Sequence, residues 1–548
     1  MQKKIIKLAE VILIISIFAL AFFIRFHNVG LLPINHDEAA GARDLLRNPE
    51  PVRIIFKVHT ALIYFFFYLQ YLQYLLFTWI WGFKISGLDD LMLHLRFLSI
   101  SAGGITLLLV YVLARCMYGC KTAIISSILL CFLPWHIIQS RITAPVNYTP
   151  LFGCLIFLCL FRASQIKRKI YSGLWFLLSC LFLKESLETH GSAILFILIF
   201  LVLLIGLTRK IDYPMKTRIR LIAILITAIF IFSFVWNIIA LKNEFWHSFF
   251  RGYHKNIFEG SLFLNLWRNF KNNFGSGLNQ LFFSSEASLF LYGQALKAPL
   301  LIHPAMFFLL LISLGFAIWR RTTPDKILSI WLFLGFLGVC GGASFFQARY
   351  ILIILPPLLI LPSRFIAKIF ERFSLSQNLH KRLILLICGV FLLGGLVNAE
   401  IIQWTHYYYN APFDLAESIH NSYGCKEAAE YLSQITDIKD YIIITDVRMT
   451  VDVYLNFYLL SEGKIDRYWD FRTCGFTSKK KGEIHVLWAP GSRSENYWGG
   501  LFRWVYILFR QAYPDEKPIK TIYYPTGQAV IHIFKIENDN REDGDKIR

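Results

Sequence analysis

The stretch LAEVILIISIFALAFFI, residues 8–24, carries a single charge, and LIAILITAIFIFSFVWNIIAL, residues 221–241, carries none. A bilayer core offers no water to backbone N–H and C=O groups, so a run like this crosses as a helix that closes its own hydrogen bonds. Roughly 20 residues suffice for one crossing. Twelve apolar runs qualify, near 8–24, 61–82, 93–115, 121–139, 148–163, 171–184, 191–207, 219–241, 301–319, 327–346, 349–363 and 383–401. The chain is 56% apolar, above the roughly 45–50% of soluble domains. It reads as a polytopic α-helical membrane protein. The first run has no small-residue cleavage site and ends in RFHNVG, so it is read as a retained span.

Charge decides sidedness. The formal net charge is +20, which in a soluble chain would point to nucleic acid. In a membrane chain it points to cytoplasmic loops, and no nucleic-acid partner is expected. Six segments are locally basic: Lys3/Lys4/Lys7, Arg115/Lys121, RASQIKRK (162–169), RKIDYPMKTRIR (209–220), RRTTPDK (320–326) and 364–382. All six fall on one side if one early run does not cross. The best candidate is 61–82, rich in Tyr, Trp and Gln, which suit a juxtamembrane helix at the interface. About eleven spans remain, with a cytoplasmic amino terminus in a plasma or inner membrane. Residues 1–401 form the membrane domain, with outer loops at 25–92 and 242–300, and residues 402–548 are extracytoplasmic.

The tail reads as a small α/β domain. Helical spacing covers 424–435, 452–460 and 500–512, and strand patterns cover 440–447, 483–490, 519–525 and 528–536, with a turn at Pro525-Thr526-Gly527. The last dozen residues have a disordered composition. Cys425 and Cys474 form a disulfide or remain separate thiols, depending on export and spacing in the fold. No Gly-rich nucleotide loop and no zinc-type Cys/His spacing occurs.

Basic residues on the outer side, Arg43, Arg53, Lys57, Arg96, Arg141, Lys184 and Arg349, go against the charge trend, and a carboxylate pair stands there too. Asp37-Glu38 follows the first span, in LLPINHDEAAGARD. A carboxylate pair there serves either as a general base or as a helix cap in a wet loop. His59 precedes the aromatic juxtamembrane run, Arg96 enters the next span, and Arg141 follows PWHIIQS. Lys184 ends another span, and Arg349-Tyr350 stand before Pro356-Pro357. Each cation alone is compatible with snorkelling to headgroups; together they suit phosphate.

Taken in order, these features resemble the membrane glycosyltransferases of the GT-C fold. The dolichyl-phosphate-mannose protein mannosyltransferase and aminoarabinose transferase superfamily is the nearest type. RFLSISAGGITLLLVYVLARCMYG (96–119), PWHIIQSR (134–141) and ARYILIILPPLLIL (348–361) carry the likeness, which covers residues 1 to about 400. The resemblance implies Asp37 as the base, with Glu38 beside it. It implies His59, Arg96, Arg141, Asn147, Lys184, Arg349 and Tyr350 as substrate-binding residues. The implied donor is a polyprenyl-phosphate sugar; the acceptor is a protein, lipid or glycan hydroxyl, and membrane lipids surround the site. No cofactor is required, because Lys and Arg neutralise a leaving phosphate; a divalent metal stays open.

The chain also departs from the pattern. His59 is followed by Thr60-Ala61 rather than two prolines, Gly41 replaces a Tyr, and Asn147 stands where a second acid is usual. Glu185, Glu188 and His190 are the nearest replacements. A transporter or flippase is the rival reading, against which no inverted repeat is visible. An inactive GT-C-like scaffold is the other.

Overall fold

A computed structural model describes residues 2–27, 29, 38, 72–73, 76, 78–80, 82, 88–166, 168–208, 262–278, 304–342, 348–375, 424–438, 441–445, 448–461, 482–489, 501–523, 527 and 529–537. The expected runs at 61–82, 219–241 and 383–401 lie wholly or largely outside them, as do the chain's last residues.

Among the described residues, hydropathy becomes helix almost wherever it was read. Before the C-terminal unit the described helices are α1 (Gln2–Phe26), α2 (Leu88–Tyr118), α3 (Cys120–Phe132), α4 (Pro134–Ser140), α5 (Thr149–Gln165), α6 (Lys169–Thr189), α7 (Ile194–Thr208), α8 (Leu262–Leu278), α9 (Pro304–Arg320), α10 (Thr323–Gly342) and α11 (Leu355–Leu375). Among the described residues, six helical stretches are long and apolar enough to cross a membrane, and three shorter apolar helices accompany them. The chain is an integral membrane protein; the full tally of eleven spans involves residues that are not described.

Two expectations change. The run 121–139 is not one helix. Leu133 has φ −68° and ψ 110°, extended rather than helical, because the ring of Pro134 disfavours the helical region for the residue before it. Pro134 then opens α4 at a position where its missing N–H costs nothing. The run 349–363 is also longer than read. Its helix continues to Leu375, so Arg364 belongs to the bundle rather than to a basic loop. Arg364 is buried, pairs with Asp325, lies 4.2 Å over the Tyr118 ring, and Tyr118 donates to Asp325 at 2.9 Å. This cluster ties α2, α10 and α11 together at one end of the bundle.

Helix faces sort by contact. Leu8, Ile12, Ile15 and Phe23 of α1 are exposed, as lipid-facing residues are. Among the six candidate spans the one ending in α11 is the most buried, at 94%. Trp331 is fully buried against Phe157, 4.3 Å between ring centroids. A Cβ on Gly153 would stand 2.6 Å from Trp331 and 2.9 Å from Phe196. Gly153→Val is therefore expected to cost about 1–3 kcal/mol or more through overpacking, read as a lower thermal unfolding midpoint in mild detergent.

Each of the seven elements expected in the tail is present: α12 (Cys425–Ser433), β1 (Tyr441–Thr445), α13 (Arg448–Ser461), β2 (Gly482–Trp488), α14 (Leu501–Ala512), β3 (Lys520–Tyr523) and β4 (Ala529–Glu537). The sheet order is β1-β2-β4-β3. β1 pairs parallel with β2, which a helical crossover permits, and β4 is antiparallel to both neighbours. Cys425 is buried in this unit, and Cys474 lies outside the described residues, so their pairing does too. Leu95 of α2 is fully buried within the same core cluster as Cys425, Leu432, Val451 and Tyr454. The membrane bundle and the C-terminal unit meet there.

Candidate active site

At the opposite end of α2 from the Asp325 cluster, a carboxylate is completely enclosed. Glu38 and Arg96 are both 0% exposed. Arg96 Nε donates to Glu38 Oε1 at 2.9 Å, and Nη2 donates to Oε2 at 2.7 Å. This is the two-pronged arrangement that suits a guanidinium and a carboxylate. The third nitrogen, Nη1, donates to the Val29 carbonyl at 2.5 Å. The Thr143 N–H reaches Glu38 Oε1 at 2.8 Å, and Thr143 Oγ1 donates to the Leu95 carbonyl at 2.5 Å. The loop after α1, the start of α2 and the segment after α4 are thus fastened at one point.

The sequence expectation set Arg96 on a donor phosphate and Glu38 beside a base. The geometry ties them to each other instead. Burying an ion pair costs desolvation, which its hydrogen bonds must offset; here both carboxylate oxygens and all three guanidinium nitrogens have protein partners.

Other expected residues gather nearby. Arg141 is buried and donates from Nη2 to the His27 carbonyl at 3.0 Å, at the end of α1. Asn147 lies in the 3-10 turn Pro145–Tyr148, and its Nδ2 bonds the carbonyls of Gln139 and Ile142. These contacts tie the turn to the end of α4, and the buried Oδ1 has no hydrogen-bond partner among the described residues. The turn touches both α6 and the 3-10 segment Ala348–Ile354. Lys184, near the end of α6, pairs with Glu185 at 3.0 Å. His190 packs against Tyr350 with ring centroids 5.6 Å apart, and its Nδ1 lies 2.8 Å from Ser192 Oγ. The structure thereby brings Glu38, Arg96, Arg141 and Asn147 together at one end, with Lys184, His190 and Tyr350 on elements adjoining that turn. Asp37 and His59 and the side chains of Arg349 and Glu188 lie outside the described residues.

Sequence reading missed Arg25 and Thr143. Arg25 is fully buried in the last turn of α1; Nη1 donates to Ala21 at 2.9 Å, and Nη2 donates to His136 Nδ1 at 2.8 Å. A cation at a span's end looks like snorkelling, and nothing local marked it otherwise. Thr143 carried no signal. Among the described residues, no group of three or more His, Cys, Asp or Glu stands together as a metal site.

The chain has the GT-C fold, a helical membrane bundle joined to a C-terminal α/β unit. Among solved structures, the chain is similar to ArnT from Cupriavidus metallidurans in the apo state, at 13% identity and TM-score 0.54, covering 95% of this chain and 97% of that one. It is similar to the same protein bound to undecaprenyl phosphate, at 12% identity and TM-score 0.52, again covering 95% and 97%. It is also similar to the oligosaccharyltransferase of Archaeoglobus fulgidus in the apo form, at 12% identity and TM-score 0.53, covering 81% of this chain. There the match spans only 64% of the archaeal protein's length. No family model and no curated protein matches by sequence.

Proposed function

We propose that this protein is an integral membrane glycosyltransferase. It moves a sugar from a polyprenyl-phosphate donor to an acceptor hydroxyl at the outer membrane face. The observation that carries the reading is the enclosed Glu38–Arg96–Thr143 pairing directly beside Asp37 in sequence. A fully engaged glutamate leaves its neighbour as the carboxylate for chemistry. The fold supports the donor class: of its structural neighbours, one was solved with undecaprenyl phosphate and another with dolichol phosphate.

Asp37 accepts the proton of the acceptor hydroxyl as its oxygen bonds the anomeric carbon. The bond from that carbon to the phosphate oxygen breaks, the electron pair leaves with the polyprenyl phosphate, and the carbon inverts. Arg349 and Lys184 hold the phosphate and offset the charge that grows on it. Glu38 and Arg96 fix the chain around Asp37, and Arg141 and Asn147 brace the adjoining turn. His59, Tyr350 and His190 border donor or acceptor. The amino terminus is cytoplasmic and the C-terminal unit lies outside. A transporter would move the donor lipid without cleaving it.

Purified protein incubated with polyprenyl-phosphate sugars is expected to release polyprenyl phosphate. Arg349→Ala should raise the apparent KM for donor roughly tenfold or more, as loss of a charge-assisted contact does. No release with any donor offered would overturn the enzymatic reading.

A further inference from the structure

The segment Ala348–Ile354 carries Arg349 and Tyr350 and leads into α11 through Pro356-Pro357. Two consecutive prolines create a defined deficit. In an α-helix the Ile353 carbonyl takes the N–H of residue 357, and in a 3-10 turn that of residue 356. Both are proline and lack the donor. Ile353 is fully buried, so water does not replace it. The donor comes from another helix: Trp331 Nε1 of α10 reaches the Ile353 carbonyl at 2.8 Å. Gly335, one turn further along α10, leaves room for Ile354 against the helix. The Phe157 and Phe196 rings hold the indole in place.

We propose that Trp331 is a positioning residue for the Arg349–Tyr350 segment, acting through this single indole N–H. The effect on donor binding rests on the reading of Arg349 as a phosphate-binding residue; the effect on the segment itself does not.

The test uses three full-length variants in detergent: Trp331→Phe, Pro357→Ala, and the two combined. Phe keeps an aromatic ring and removes the N–H. Ala at 357 returns a backbone N–H to the Ile353 carbonyl. Amide hydrogen exchange over 348–354 should speed up about tenfold in Trp331→Phe, the scale of one lost buried hydrogen bond, and return toward wild type in the double variant. Undecaprenyl phosphate affinity should follow the same order. Unchanged exchange in Trp331→Phe overturns the proposal. So does accelerated exchange that the second substitution leaves uncorrected, since that is the signature of lost ring volume alone. If wild type fails to bind undecaprenyl phosphate while exchange follows the stated pattern, the positioning role stands and the donor reading falls.

Discussion

Asp37→Asn is expected to lower polyprenyl-phosphate release by roughly two to four orders of magnitude, the usual contribution of a general base. Expression and undecaprenyl phosphate binding should stay near wild type. Asn matches the shape of Asp and cannot take a proton from an attacking hydroxyl. Rescue by the neighbouring carboxylate is closed off by geometry. Glu38 Oε1 already accepts from Arg96 Nε and from the Thr143 N–H, and Oε2 accepts from Arg96 Nη2. Turning Glu38 toward a substrate would strip a buried guanidinium of its partner. Turnover and donor binding measured on the same preparation decide the matter, and full turnover in Asp37→Asn would remove Asp37 from the mechanism.

The second large effect falls on folding. Glu38→Gln leaves the Arg96 charge buried opposite a neutral amide, and Arg96→Met leaves the carboxylate buried opposite a thioether. Removing one partner of an enclosed ion pair typically costs about 3–5 kcal/mol, a large share of the roughly 5–15 kcal/mol that holds a domain folded. Each single variant should show a sharply lower unfolding midpoint and poor recovery from the membrane. The double variant Glu38→Gln/Arg96→Met should lose less than the sum, because neither charge is then stranded. Two single variants as stable as wild type would show that the enclosure contributes nothing to folding.

What was legible in the sequence was local. Apolar runs predict helices because a bilayer imposes its rule on each run separately, and the described spans fall where they were read. Short runs rich in Ile, Val and Tyr predict the four strands of the C-terminal unit for a similar reason. The readings that changed turn, with one exception, on groups remote in the chain. Glu38 meets Arg96 across 58 residues, and no window of hydropathy sees both. Arg364 looked like loop because a cation ends an apolar run, and its partner Asp325 lies on a different helix. The Asn147 amide nitrogen reaches back to Gln139 and Ile142, a tie that the sequence does not announce. The break at Leu133 is the exception, because the proline that causes it is the next residue. The hydrogen bond from Trp331 had half a signal, since two adjacent prolines declare a missing donor without saying where a replacement stands.

Leu95 has a double membership. It is one residue from Arg96, its carbonyl receives the Thr143 hydroxyl, and its side chain sits in the core of the C-terminal unit. The C-terminal unit therefore covers the side chain next to the arginine that holds Glu38. A truncated chain would have to assemble the Glu38 clasp without the C-terminal residues that pack around Leu95.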